Sequence, residues 1–306
     1  MISNPTASPL FWPLASTLGG LFAVGFILIL TAERFRLATL PNSSLFQRWL
    51  VWAVIAPLYS LAALSGAAIW TALITLIVVQ AIREYARLVG LPRLYQYVLL
   101  AMGVGIGPLA MWAPDQFFAV PPLLLIVATL QPLLTQDVRQ GMRLLALAAL
   151  GFGYLPFLLD HLVLVHRWIP GGPGLLLIVG LSVALSDVGA FAVGKAFGRH
   201  RLSPVVSPNK TWEGVLGNVI GAYLGALLLS FAMPPALPGA VKLVFPLIIA
   251  VGAAWGDLVE SALKREFGVK DAGSWLPGFG GLLDRIDSLI VVGPLVYHLA
   301  RLTGSG

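Results

Sequence analysis

Leu175–Phe197, LLLIVGLSVALSDVGAFAVGKAF, decides the fold class. A helix that crosses the hydrocarbon of a bilayer needs ~20 mostly apolar residues, and this run supplies them. Inside lipid, backbone N–H and C=O groups have no water to bond, so a lone apolar run must close its hydrogen bonds as a helix. Asp187 interrupts the run midway, beside Ser186. An acid at that depth is costly, so it is expected to face a polar cavity or a partner.

Nine further stretches read the same way: Leu14–Ala32, Arg48–Leu64, Ala67–Leu88, Leu94–Trp112, Phe117–Leu134, Met142–Leu159, Gly214–Phe231, Leu243–Leu263 and Asp284–Leu302. Only Ser65-Gly66 parts the second span from the third, and the fifth holds Pro121, Pro122 and Pro132. The expectation is an all-α polytopic integral membrane protein with nine to ten transmembrane helices. Composition agrees. Of 306 residues, 58% are apolar and 10% charged, against about 25% charged in soluble domains. A soluble chain could not cover its surface with so few polar groups, and disorder needs the opposite balance. The chain has no cysteine, which excludes disulfides, thiolate zinc sites, iron–sulfur clusters and cysteine nucleophiles.

The net charge of +6 comes from Lys and Arg scattered singly, without the basic block that would suggest nucleic acid. Taken loop by loop, sixteen basic residues fall on one side of the ten-span scheme and three (Arg167, Lys242, Arg301) on the other. By the positive-inside rule, the loops after spans 1, 3, 5, 7 and 9 are cytoplasmic and both termini lie outside. Residues 1–13 carry no Lys or Arg, so the first run is expected to be a retained span rather than a cleaved leader. No internal repeat is visible.

Polar residues sit at span ends up to about residue 170 and within or beside spans from Ser186 onward. This divides the chain into an N-terminal helical region, 1–170, and a C-terminal region, 171–306, where chemistry is expected. Its densest stretch is Trp255–Ser288, WGDLVESALKREFGVKDAGSWLPGFGGLLDRIDS. Asp257, Glu260, Ser261, Lys264 and Arg265 share one helical face. A Glu260–Lys264 ion-pair ladder at the water boundary is one reading of that face. Leu276–Gly281 is a Gly-rich loop, which can turn backbone N–H groups toward an anion or simply mark a turn. Asp284 and Asp287 stand one turn apart at the start of the last span, as caps of the helix or as oxygen ligands together with Asp257. Acids, bases and a Gly loop this close together suggest metal-assisted chemistry on a polyphosphate.

A second polar cluster, Gly198–Gly214, precedes the eighth span. It reads as a turn and helix start capped by Thr211, or as a nucleotide-phosphate site around Lys210; Walker A spacing is absent. Arg83-Glu84 and Arg87 read as an interfacial ion-pair cluster. His161, His166 and His298 read as packing residues, and the nine Trp as interfacial anchors.

Ser261, Lys264-Arg265, Lys270-Asp271, Gly273, Leu276-Pro277-Gly278-Phe279-Gly280-Gly281, Asp284-Arg285 and Asp287 together resemble the signature of phosphatidate cytidylyltransferases. Ser207-Pro208-Asn209-Lys210-Thr211, Glu213-Gly214, Asp187 and Gly194-Lys195 are similar to that family too, and Arg83–Leu88 echoes it more loosely. The resemblance implies CTP + phosphatidate → CDP-diacylglycerol + pyrophosphate, a step of phospholipid biosynthesis, with Mg²⁺ and room for a monovalent cation such as K⁺. It further implies a homodimer in the cell membrane with the site facing the cytoplasm. Asp257 and Asp284 would hold the metal, with Asp287 close by. Ser261, Lys264 and Arg265 would complete the catalytic set. Ser207, Lys210, Thr211, Glu213, Lys270, Asp271, Gly278, Gly280, Gly281 and Arg285 would bind nucleotide and phosphates. A cytidylyltransferase for another lipid phosphate, such as an isoprenoid ether lipid, is the near alternative. A cation-coupled secondary transporter using Asp187, Asp257 and Asp284 is the alternative of a different class. Charges grouped at one membrane face, with no repeat, speak against the transporter.

Overall fold

The computed structural model describes residues 2–303 except 34, 36–39, 42, 137, 270 and 274–279. Twelve α-helices follow one another: α1 (Phe11–Ala32), α2 (Ser44–Leu64), α3 (Ala67–Leu88), α4 (Arg93–Trp112), α5 (Pro114–Ala128), α6 (Leu130–Thr135), α7 (Val138–Phe152), α8 (His161–Trp168), α9 (Gly172–Phe197), α10 (Trp212–Leu228), α11 (Gly239–Glu266) and α12 (Leu283–Leu302). The expected all-α polytopic architecture is present, and each of the ten expected spans lies on helix.

Eight helical stretches among the described residues are long and apolar enough to cross a membrane. Two of them join neighbours: Pro114–Leu134 runs through α5 and α6, and Arg139–Trp168 through α7 and α8. The latter is continuous because a π-helical turn, Gly153–Phe157, carries the chain from one to the other. Pro156 lies in that turn, where the wider ladder tolerates its missing N–H. α10 has only 17 residues and α12 holds Asp284, Arg285, Asp287 and Arg301, so neither counts among the eight. The expected span Gly214–Phe231 is shorter than read, because α10 stops at Leu228 and a 3-10 turn, Ser230–Ala232, follows.

The core lies where α3, α8, α9 and α12 meet. Trp70, Ile74, Tyr85, Leu162, Val165, Leu176, Ile178 and Ile290 are buried there. Trp70 thus corrects the reading of every Trp as an anchor: it is fully buried, and its Nε1 donates to the Leu162 carbonyl at 3.0 Å. His161 is a packing residue as expected, ringed by Phe117, Phe118, Phe157, Tyr297 and His298.

Two helix pairs approach at backbone distance. Along α10, Gly217, Gly221 and Gly225 recur every fourth residue. A Cβ at Gly217 would strike the Gly189 carbonyl of α9, and at Gly221 the Leu185 carbonyl. At Gly225 it would come 2.5 Å from the Ser182 Cα. Small residues let spans approach this closely, where dispersion replaces the hydrophobic effect that lipid does not supply. Gly256 of α11 repeats the device, pressed on the backbone of Asp287 and Ser288 in α12.

Between α9 and α10 the chain forms a hairpin, β1 (Arg201–Ser203) and β2 (Ser207–Thr211), with Arg201 opposite Thr211 and Ser203 opposite Ser207. The sequence reading had a turn here but no strands. Thr211 does cap α10, its Oγ1 accepting from the Gly214 N–H at 3.1 Å.

Candidate active site

The Gly256 contact brings two acidic helices together. Asp257 and Glu260 of α11 lie so close to Asp287 of α12 that one carboxylate oxygen from each falls within 4.8 Å of the other two. Glu260 and Asp287 are buried, and Asp257 is half-buried. Three carboxylates this close repel one another unless cations compensate. Part of that compensation is local. Lys210, carried by β2, places its Nζ 2.6 Å from Asp257 Oδ2. Lys264 places its Nζ 2.6 Å from Glu260 Oε2 and 2.7 Å from Asp284 Oδ1. The other oxygen of Glu260, Oε1, is buried without a hydrogen-bond partner among the described atoms. A buried orphan oxygen beside two further carboxylates is the donor set a hard divalent cation takes.

Asp257, Asp287, Lys210 and Asp284 border a cavity of about 580 Å³, and Glu260 and Lys264 stand outside its lining. Asp187, Gly194 and Lys195 of α9, Asn209, Lys210 and Thr211 of the hairpin, Asn218 of α10, Asp257 of α11, and Asp284, Arg285 and Asp287 of α12 line it. The intramembrane acid of the opening stretch therefore does face a polar cavity. Its wall combines carboxylates, ammonium groups and a guanidinium, which suits a metal–polyphosphate.

Asp284 differs from its neighbours. It lines the cavity, but its Oδ2 accepts from the Gly281 N–H at 2.8 Å and the Ala272 N–H at 3.1 Å, while Oδ1 accepts from Lys264. It joins α12 to the Gly loop and to α11. Gly280 has φ 85°, the left-handed region that glycine adopts without strain, and Asp271 lies beside it.

The remaining residues singled out in the sequence spread behind the cavity. Ser261 Oγ lies 3.4 Å from Asp257 Oδ1. Arg265 is exposed and reaches the Val206 carbonyl at the hairpin turn, Nε to O 3.4 Å. Ser207 pairs within the hairpin. Glu213 accepts from the Arg199 N–H at 3.1 Å and from His200 Nδ1 at 2.7 Å, fastening the end of α9 to the start of α10. Lys270 and Gly278 lie outside the described residues.

One residue was read only in part from the sequence, and one was misread. Glu260 does form the Lys264 ladder, yet it also faces Asp257 and Asp287. Its helical spacing from Asp257 was the available signal. Glu84 is not part of an ion-pair cluster among the described residues: it is buried and bonded to backbone N–H groups of Leu282 and Leu283. No local pattern announces that contact.

Comparison with known proteins agrees with this chemistry. A phosphatidate cytidylyltransferase of Pseudomonas aeruginosa is 39% identical over 235 residues, covering 73% of this chain and 84% of that protein. One of Staphylococcus haemolyticus is 39% identical over 153 residues, half of this chain and 56% of that protein. One of Bacillus subtilis is 44% identical over 117 residues, 38% of this chain and 44% of that protein. The alignments thus span from under half to most of those relatives' lengths. Residues 46–303 match the family described as the cytidylyltransferase family, and with that span and a carboxylate-and-lysine cavity fit for a metal–polyphosphate, the chain belongs to that family.

Proposed function

We propose that this cytidylyltransferase makes CDP-diacylglycerol from CTP and phosphatidate, releasing pyrophosphate, at the cytoplasmic face of the cell membrane. The observation that carries the reading is the approach of Asp257, Glu260 and Asp287 to one another beside a cavity that Asp257, Asp287, Lys210 and Arg285 line. These three carboxylates would hold Mg²⁺, which when bound supplies positive charge against the triphosphate. Asp284, the expected second ligand, we assign instead to orienting Lys264 and the Gly loop.

In the reaction a phosphate oxygen of phosphatidate bonds to the α-phosphorus of CTP. The bond from that phosphorus to the bridging oxygen breaks, and pyrophosphate departs with the electron pair. The lipid phosphate is already anionic and needs no general base. The protein's part is to hold two polyanions in line. Lys210 and Arg285 face the cavity and would bind phosphate oxygens, Arg285 by its planar fork. Thr211 and Asn209 offer further polar contacts at its rim. Phosphatidate remains in the bilayer, because each acyl CH₂ contributes ~0.8 kcal/mol. The site therefore has to receive it sideways. A homodimer and a monovalent cation such as K⁺ beside Mg²⁺ belong to the same proposal, as does a scaffold role for residues 1–170 around the reacting region 171–306.

The test is Mg²⁺-dependent pyrophosphate release by the purified protein in vesicles, with CTP and phosphatidate. Turnover that EDTA abolishes and Mg²⁺ restores is expected. Turnover with an isoprenoid ether lipid phosphate in place of phosphatidate would assign the near alternative. Ion flux into sealed vesicles without pyrophosphate release would overturn the enzymatic reading.

A further inference from the structure

Glu84 is an acid in the N-terminal region, on α3, yet it is only 2% exposed. Both of its oxygens are engaged. Oε1 accepts from the Leu282 N–H at 3.0 Å and from Gln80 Nε2 at 3.0 Å, and Oε2 accepts from the Leu283 N–H at 2.8 Å. Leu283 opens α12, whose own N-cap position, Leu282, has no side chain able to bond these donors. The first N–H groups of a helix have no partner within the helix. A carboxylate there satisfies them and complements the positive end of the helix dipole. Here the carboxylate comes from a helix almost 200 positions earlier in the chain.

The same carboxylate bounds the Gly loop. A Cβ at Gly281 would lie 2.6 Å from Glu84 Oε2, and one at Gly273 would lie 3.0 Å from Glu84 Cδ. Gly273 and Gly281 both lie against Glu84, and at Gly281 a side chain would have to displace its carboxylate. Asp284 follows Leu283 directly and bonds the Gly281 N–H. Asp287 follows one turn later. Glu84 thus fixes the start of α12, from which two cavity acids and Arg285 project.

We propose that Glu84 is a positioning residue for the cytidylyltransferase site: it sets the position of Gly281 and of the α12 N-terminus, and through them Asp284, Arg285 and Asp287. The proposal rests on the functional reading above, and its test has one arm that does not. Hydrogen–deuterium exchange on the full-length protein in detergent should show slow exchange at the amides of Leu282 and Leu283. Glu84→Gln should accelerate exchange there at least tenfold, because an amide oxygen is a weaker acceptor than a carboxylate and its NH₂ group faces a donor. The core of α9, around Ile178, should keep its protection.

In the kinetic arm, Glu84→Gln should lower kcat about tenfold or more and raise the Mg²⁺ concentration needed for half-maximal turnover, with KM for phosphatidate unchanged. Glu84→Asp, which restores charge and both acceptors, should recover part of kcat. If Glu84→Gln does not fold, Glu84→Asp carries the test: its shorter side chain should loosen both contacts, speeding exchange at Leu282 and Leu283 and lowering kcat several-fold. Wild-type exchange at Leu282 and Leu283 in a folded Glu84→Gln protein, wild-type kcat and Mg²⁺ dependence in that variant, or, where only Glu84→Asp folds, wild-type exchange and kcat in it, would each overturn the proposal. If the wild-type protein releases no pyrophosphate from CTP, the functional reading falls, and the exchange arm still reports on Glu84.

Discussion

Glycines of α1 and of α10 do opposite work. Both helices are apolar along their length. In α1 a side chain at Gly19 or Gly20 would meet nothing within 4 Å, and Leu14 is that helix's one buried residue. In α10 side chains at Gly217 and Gly221 would strike backbone of α9. Hydropathy reports that a helix belongs in lipid. Whether it packs, and how closely, depends on where small residues fall relative to a partner. The proposed site is built on the second arrangement: Gly256, pressed on the backbone of α12, sets Asp257 and Glu260 beside Asp287.

The largest effect that can break this contrast is at Gly221. Gly221→Leu should deprive the α9–α10 pair of its contact and abolish recovery of a monodisperse protein in detergent. Even Gly221→Ala should lower the unfolding midpoint by several degrees, as overpacking costs ~1–3 kcal/mol. Unchanged thermal melting of Gly221→Ala would remove the seam from the account. Next, Asp257→Asn should cut CTP turnover ~10²–10³-fold, the size of losing one electrostatic partner of the transition state, while melting stays near wild type. The chemistry would then be separable from the packing that delivers it. The smallest effect is expected at the periphery. Gly20→Ala in α1 should be neutral or stabilising by under ~1 kcal/mol, since the helix gains propensity and no contact is lost. Equal losses from Gly20→Ala and Gly221→Ala would erase the distinction.

The spans were legible because burial in lipid imposes one simple requirement, a sustained apolar run, and ten such runs all became helix. Asp257, Asp284, Arg285 and Asp287 were legible as a group because helical spacing and closeness along the sequence set them side by side. The Gly217-x3-Gly221-x3-Gly225 spacing was present in the text but gains meaning only against its partner, Ser182–Gly189 of α9. Glu84 was misread for a stronger reason. Beside Arg83 and Arg87 an ion pair is the economical local reading, whereas the actual partners are backbone amides 198 and 199 residues away. Side chain-to-backbone contacts leave no complementary residue type to look for.

The π turn at Gly153–Phe157 has a consequence for length variation. A π turn holds one residue more than the α-helical turn it replaces. Deleting one residue there would restore ordinary winding with α8 nearly in phase, since the wider turn already absorbs the extra residue, whereas a deletion in the α-helical turns beside it would swing α8 by about 100° about its axis. α8 is so uniformly apolar, from Leu162 to Val165, that the rotated helix would still be soluble in the core. The loss would fall on its polar latches, Trp70 Nε1 to the Leu162 carbonyl and His166 Nε2 to the Ala63 carbonyl. Chain-length changes in this helix are therefore screened by two directional bonds rather than by greasiness, and the π turn is where a residue can be lost with both bonds kept.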